Sequence, residues 1–164
     1  MISVASQLHV LLLVLIATFF GAIIGLERER SNKPAGARTQ SLVAGACALV
    51  VGAGAVVDQL YGLGDPTRAM HAVITGIGFL GAGIMTGAGE WAGRGITTAT
   101  TVFTTAGIGA VVGLNMPITG FGATIIVLVA LRLSRVIKKV RRNDMDEPVI
   151  TETKVSDDWP DSES

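Results

Sequence analysis

The acidic side chains that flank the apolar segments are the residues of this sequence best suited to chemistry. Glu27 and Glu29 follow one apolar segment, and Asp65 stands before another. Carboxylate oxygens and retained water molecules are the ligands that Mg²⁺ prefers, so these three residues are candidate metal ligands. Two observations weigh against this site: the carboxylates are predicted to lie at opposite membrane faces, and none stands in mid-segment, where a carrier would bind its substrate. For Asp65, capping the helix that Pro66 begins is the plainer role.

Arginines near these carboxylates form the second candidate group, which consists of Arg28, Arg38, Arg68 and Arg94. In one interpretation, Arg28 and Arg38 hold the glutamates in a fixed charge cluster at the mouth of a helix bundle. In the other, the same polar loop is solvated and only sets the topology. Arg94 precedes a helix, whose dipole disfavours a cation at that end, so we expect it to have an acidic partner among Glu27, Glu29 and Glu90.

Threonines give the fourth apolar segment its polar character, with six of them between positions 97 and 105. At helical spacing, Thr97, Thr101 and Thr104 fall roughly on one face, together with Thr105. A threonine hydroxyl can bond back to the backbone of its own helix, which favours a role in helix packing. The alternative is a hydroxyl-lined polar path.

A glycine-rich run at positions 76–81 matches the G-x-G-x-x-G dinucleotide fingerprint. That fingerprint requires a preceding strand and an acidic residue about 20 positions later, whereas these glycines lie inside one continuous apolar run. We therefore predict a membrane helix whose small residues let a neighbouring helix approach closely, and we expect this helix to be the packing centre of the protein. The predicted packing glycines are Gly21, Gly25, Gly76, Gly83 and Gly87.

The composition is that of an integral membrane protein. Of the 164 residues, 49% are hydrophobic and only 16% are charged, whereas soluble domains carry about a quarter charged residues. The apolar runs predict an all-α, polytopic membrane helix bundle with five transmembrane helices, roughly 8–26, 41–57, 69–85, 96–114 and 117–133. Twelve of the thirteen lysines and arginines lie at the end of, or after, the first, third or fifth of these segments, whereas the loops on the other side hold only Arg68, which predicts an N-out, C-in orientation.

The chain divides into a predicted transmembrane domain, 1–142, and a disordered acidic cytoplasmic tail, 143–164. Basic residues between 132 and 142 follow a membrane exit, so we expect the lipid bilayer as their partner and no nucleic acid. The sequence contains no nucleophile–His–acid set, no Cys/His metal cluster and no P-loop. We therefore predict that the protein is not an enzyme and has no cofactor.

Five short motifs in order resemble the MgtC/SapB family of bacterial inner-membrane proteins. They are Gly25–Glu29, Lys33–Thr39, Asp65–Arg68, Gly76–Gly83 and Arg94–Ala99. The resemblance covers positions 12–133 and is closest to the short form, which lacks the family's soluble C-terminal domain. Four positions depart from the family pattern: Gln40 stands where members often have His, Ala72 where Gln is common, Phe103 where Trp is usual, and Thr97 where some have Asn.

This resemblance implies a multi-pass protein of the bacterial inner membrane that is linked to magnesium homeostasis, and, in pathogenic members, to survival inside host cells. It leaves two mechanisms open. The first is a Mg²⁺ or proton-linked carrier that uses the carboxylates. The second is a regulatory protein that docks another membrane complex, such as ATP synthase, or a second copy of itself. Glycine faces on segments one, three and four, the last with Gly109 and Gly113, would serve the second mechanism. The motif charges that the resemblance carries over are Glu27, Arg28, Glu29, Arg38, Asp65, Arg68 and Arg94.

Overall fold

The computed structural model describes residues 2–62, 65–86 and 92–145, without the side chains of 66, 92–94 and 134–145. These residues form five helices and, within those ranges, no strand. The helices are α1 (Val4–Arg30), α2 (Ala37–Tyr61), α3 (Pro66–Thr86), α4 (Ala92–Gly113) and α5 (Pro117–Met145). The prediction of an all-α bundle of five helices is confirmed.

Four of these helices, α1 to α4, are long and apolar enough to cross a membrane, and α5 contributes a shorter apolar stretch, Pro117–Leu133. Residues Met1–Leu131 form one compact unit and Arg132–Ser164 a second. In the second unit, the described residues 132–145 are helical. The predicted acidic tail lies outside the described residues except for positions 143–145, which are the last residues of α5. Helix α5 is thus longer than its apolar stretch.

Local sequence signals account for several helix ends. Ser3 caps α1 by accepting a hydrogen bond from the Ser6 amide at 3.1 Å, and Gly62 ends α2 with a left-handed φ of 59°, as C-terminal glycines commonly do. Asn115 takes a φ of 63° between α4 and α5. Its Oδ1 lies 3.2 Å from Nε2 of His9, so this contact joins α1 to the turn between α4 and α5.

Helices α1, α2 and α4 pack around the main apolar core. Its fully buried residues are Ala17, Ile24, Ala44, Ala48 and Val112. Glycines bring the three helix backbones together at this core. A Cβ atom at Gly109 would overlap the backbone of Ala44, and one at Gly113 would lie 2.7 Å from the carbonyl oxygen of Ala48.

Two glycines on α1 lie against the start of α2. A Cβ atom at Gly21 would overlap the carbonyl oxygen of Gln40, and one at Gly25 would overlap Ala37 at the start of α2. Because neither position has room for a side chain, the G-x-x-x-G pair lets α1 and α2 approach to backbone contact.

The prediction that α3 is the packing centre is wrong for the single chain. Only 6% of its apolar stretch is buried, against 61% for α4. A Cβ atom at Gly76 or Gly83 would have nothing within 4 Å, because α3 packs inward through larger residues such as Ile77 and Val73. Close packing of Gly76 and Gly83 against another molecule stays a prediction, and Gly87 lies outside the described residues.

The glycine contacts lead to a stability prediction. We expect Gly109→Ala to lower the free energy of unfolding by about 1–3 kcal/mol, since the added methyl group overpacks the α2–α4 contact. Gly76→Ala is the matched control, which should leave stability unchanged or raise it by up to about 1 kcal/mol through helix propensity. Denaturant unfolding of both variants in lipid nanodiscs, followed by circular dichroism, measures the difference. Equal stability of the two variants would contradict the packing described here.

Candidate functional site

Polar side chains gather inside the bundle where α1 ends. The last turns of α1 stay packed against α2 and α4, so that Glu27 and Arg28 are only 5% and 4% exposed. Gln40 near the start of α2 and Thr98 near the start of α4 are buried with them. Because a buried charge is costly without polar partners, the bonds of these residues decide what the cluster does.

Arg28 links three parts of the chain. Its Nη2 donates a hydrogen bond to Oγ1 of Thr98 at 2.8 Å and a longer one to the carbonyl oxygen of Pro34 at 3.4 Å. The guanidinium group thus joins α1 to α4 and to the loop before α2. For Arg28, this geometry favours a fixed cluster over a solvated loop.

Glu29 caps the helix that follows it. Its Oε1 accepts a hydrogen bond from the amide of Ala37, the first residue of α2, at 2.8 Å. The N-cap residue itself is Gly36, which has no side chain to cap with and where a Cβ atom would overlap the Glu29 carboxylate. The negative charge also interacts favourably with the α2 dipole.

Asp65 caps α3 in the same manner. Its Oδ1 accepts hydrogen bonds from the amide of Thr67 at 2.9 Å and from the Thr67 hydroxyl at 2.6 Å. These bonds to Thr67, with smaller contributions from the charges of Arg68 and His71, hold the pKa of Asp65 below its usual range. The carboxylate is therefore ionised at neutral pH, and its negative charge interacts favourably with the helix dipole at the N-terminus of α3.

The structure does not bring the three candidate metal ligands together. Glu29 lies at the start of α2 and Asp65 beyond its end, and a helix of 25 residues is about 37 Å long. One cation cannot contact both carboxylates. In the described ranges, no group of three or more His, Cys, Asp or Glu side chains is arranged to hold a metal ion.

Two of the remaining motif arginines lie outside the buried cluster. Arg38 and Arg68 are exposed. Arg94 lies in the first turn of α4, but its side chain is outside the described set. The prediction that Arg94 pairs with an acidic residue therefore stays a prediction, and its candidate partner Glu90 is also outside that set.

The buried threonine face of α4 differs from the predicted one. Thr97 is exposed and Thr104 only half-buried, whereas Thr98, Thr101 and Thr105 are at most 5% exposed. The buried face of α4 is therefore rotated about the helix axis from the predicted one. It contains Thr98 beside Thr101 and Thr105, and it leaves out Thr97 and Thr104. The hydroxyls of Thr101 and Thr104 donate to carbonyl oxygens of their own helix at 2.7 and 2.8 Å, which favours packing over a polar path.

Sequence reasoning missed Thr98 and Gln40 as site residues. Gln40 is completely buried, and its Nε2 donates a weak hydrogen bond to the carbonyl oxygen of Ala35 at 3.4 Å. A signal for Thr98 was present: at i+7 and i+11 it is followed by Thr105 and Gly109 on one helical face. Gln40 could have been found as an amide that stands between the Lys33–Thr39 motif and the apolar run of the second segment.

Comparison with known proteins identifies the family pattern. The profile of the MgtC family matches residues 14–140. Protein MgtC of Salmonella typhimurium is 38% identical over 122 residues, which cover 74% of this chain and 51% of that protein. Protein SrpB of Synechococcus elongatus is 37% identical over 142 residues, 75% of each chain.

Similarity extends to further bacterial proteins. An uncharacterized protein of Haemophilus influenzae is 35% identical over 132 residues, covering 77% of this chain and 56% of its own length. This chain thus spans about half the length of the first curated relatives it matches. No solved structure matches the chain.

The bond between Arg28 and Thr98 can be tested by substitution. We expect Thr98→Val to lower the free energy of unfolding by about 1.5–3 kcal/mol, because it removes a hydrogen bond to a buried charged group while keeping the side-chain volume. Thr97→Val, one residue away and exposed, should change stability by no more than about 0.5 kcal/mol. Denaturant unfolding in nanodiscs measures both. Similar values for the two variants would show that the Arg28 bond does not stabilise the bundle.

Proposed function

Because this chain belongs to the MgtC family, we propose that it is a non-enzymatic, multi-pass inner-membrane protein of bacterial magnesium homeostasis that acts by docking another membrane protein complex. Its apolar helices support the membrane assignment. The link to magnesium is supported by membership of this family.

One observation carries the docking proposal, which is the open glycine face of α3. A Cβ atom added at Gly76 or Gly83, which share one face of α3, would have nothing within 4 Å, so the fold of the chain does not require glycine there. A glycine in a helix costs up to about 1 kcal/mol relative to alanine. Close approach of a helix from another molecule gives these residues a purpose, since small residues let membrane helices pack tightly.

Most of the glycines described on α1, α2 and α4 already pack inside the chain, and the open ones on other helices, Gly107 on α4 and Gly122 on α5, stand singly. Gly21 and Gly25 meet α2, and Gly109 and Gly113 meet the α2 backbone. The glycine-rich surface that this chain offers to a docking partner is therefore on α3, rather than on α1 or α4.

The carrier hypothesis receives less support from the geometry. Glu29 and Asp65 bond backbone amides at the starts of α2 and α3, so each carboxylate already has a structural role. The backbone contact of Gly109 with Ala44 closes the space between α2 and α4. The buried pair of neighbouring charges, Glu27 and Arg28, is the observation that keeps a carrier as second candidate.

The docking proposal predicts a loss of function without a loss of folding. Gly83→Leu should abolish growth in low-magnesium medium when it replaces the wild-type copy in a deletion strain, because the leucine blocks the partner helix. Gly122→Leu on α5, where a Cβ atom also meets nothing within 4 Å, is the matched control and should support growth. Immunoblots of membrane fractions check that both variants accumulate. Normal growth with Gly83→Leu would refute docking through this face.

Ion flux separates the two candidate functions. We expect Mg²⁺ uptake into proteoliposomes holding the purified, folded protein to equal that of protein-free vesicles. Glu29→Gln and Asp65→Asn keep an oxygen acceptor for the helix caps while removing the charge, so both variants should fold. Uptake by the wild type that these variants lose would establish the carrier and place the carboxylates on its path.

A further inference from the structure

The register of α2 against α4 places two buried polar residues at one level. Gly109 meets Ala44 and Gly113 meets Ala48, so residue numbers rise together along these two parallel helices with a constant offset. Residues four positions apart share a helix face. One turn before Ala44 and Gly109, Gln40 therefore faces Thr105.

Both residues are completely buried, and each has a polar atom that forms no hydrogen bond within the described part of the chain. These atoms are Oε1 of Gln40 and Oγ1 of Thr105. Thr105 is unlike its neighbours in this respect, because the hydroxyls of Thr100, Thr101 and Thr104 donate to carbonyl oxygens of their own helix. Buried polar atoms in proteins are almost always hydrogen-bonded, to protein or to ordered water.

Polar side chains continue from this level toward the end of α1. Thr101 and Thr98 follow on α4, and Arg28 reaches Thr98 with its Nη2. Nε of Arg28 is a third buried polar atom without a hydrogen bond to any residue that the structure describes. From Thr98 to Thr105 the polar face is about 10 Å long.

On the far side of Gln40 and Thr105 the character of the bundle changes. The glycine contacts at Ala44 and Ala48 bring the α2 and α4 backbones together, and apolar residues such as Val112 fill the core. The polar face is therefore closed at the Gly109 level and extends only toward Arg28.

We propose that this polar face is a hydration site inside the bundle, in which ordered water bridges Gln40 to Thr105 and further water reaches Arg28. Water suits the atoms present: it donates to Oε1 of Gln40, exchanges a hydrogen bond with the Thr105 hydroxyl, and accepts from Nε–H of Arg28. A water molecule with two to four such partners is a normal part of a protein interior. The site is independent of the docking surface on α3.

Radiolytic hydroxyl labelling of the wild-type protein in nanodiscs tests this site. A short X-ray pulse turns bound water into hydroxyl radicals, which oxidise adjacent side chains even where bulk solvent has no access. Ile24 precedes Arg28 by one turn on the same face and is completely buried, as is Val112 in the closed part of the core. Oxidation of Ile24 should exceed that of Val112 at least fivefold by mass spectrometry. Equal oxidation would overturn the proposal.

A double variant ties the label to the two residues. Gln40→Leu with Thr105→Val keeps the side-chain volumes and removes both polar atoms, so oxidation of Ile24 should fall to half or less. Each single substitution strands the other polar atom, so each should lower the thermal midpoint more than the double substitution does. Unchanged oxidation in the double variant, or midpoint losses that add, would overturn the bridge. If Thr105 bonded Gln40 directly, without water, the midpoint losses would still be non-additive but Ile24 would not be oxidised. That result would also overturn the hydration site.

Discussion

The backbone contact between α2 and α4 is the constraint on which the rest of the bundle depends. At Gly109 and Gly113 the missing side chains let α4 lie against Ala44 and Ala48, and α1 closes the triangle through Gly21 and Gly25. In a bilayer, where lipid is as apolar as leucine, such contact is a main source of attraction between helices. The register that it fixes also decides which polar residues meet, because Gln40, Thr105 and the Arg28–Thr98 bond all lie at levels set by these glycines.

Charged motif residues in this protein stabilise the ends of its helices. Glu29 and Asp65, on two different helix starts, accept hydrogen bonds from backbone amides that would otherwise lack a partner. Arg28 joins α1, α4 and the loop before α2 at one point. These structural roles account for the three motif charges without a bound substrate. Charged motifs near the membrane faces are therefore compatible with a protein that transports no ion.

The sequence predicts the five helices because long uncharged runs leave no other structure in a membrane, and it predicts Asp65 as a cap because Asp-Pro is a local signal. The sequence wrongly predicts α3 as the packing centre. A glycine stripe shows that another helix can approach closely, but it does not show whether that helix belongs to the same chain. The face of α4 was misjudged because periodicity alone does not show which arc meets α1 and α2. The Glu29 cap depends on the turn at Gly36, which brings the Ala37 amide to the carboxylate of a residue eight positions earlier, and no helical or strand period contains that spacing.

Weak attachment of α3 has a consequence for how this sequence can change. Most of its apolar stretch is exposed, so substitutions on its outer face have little effect on the folding of the chain. Selection for stability therefore leaves that face free to drift, while it holds α1, α2 and α4 nearly fixed at their glycines. Whatever restrains the composition of the outer face must come from outside the chain, and its residues should vary in step with those of another protein.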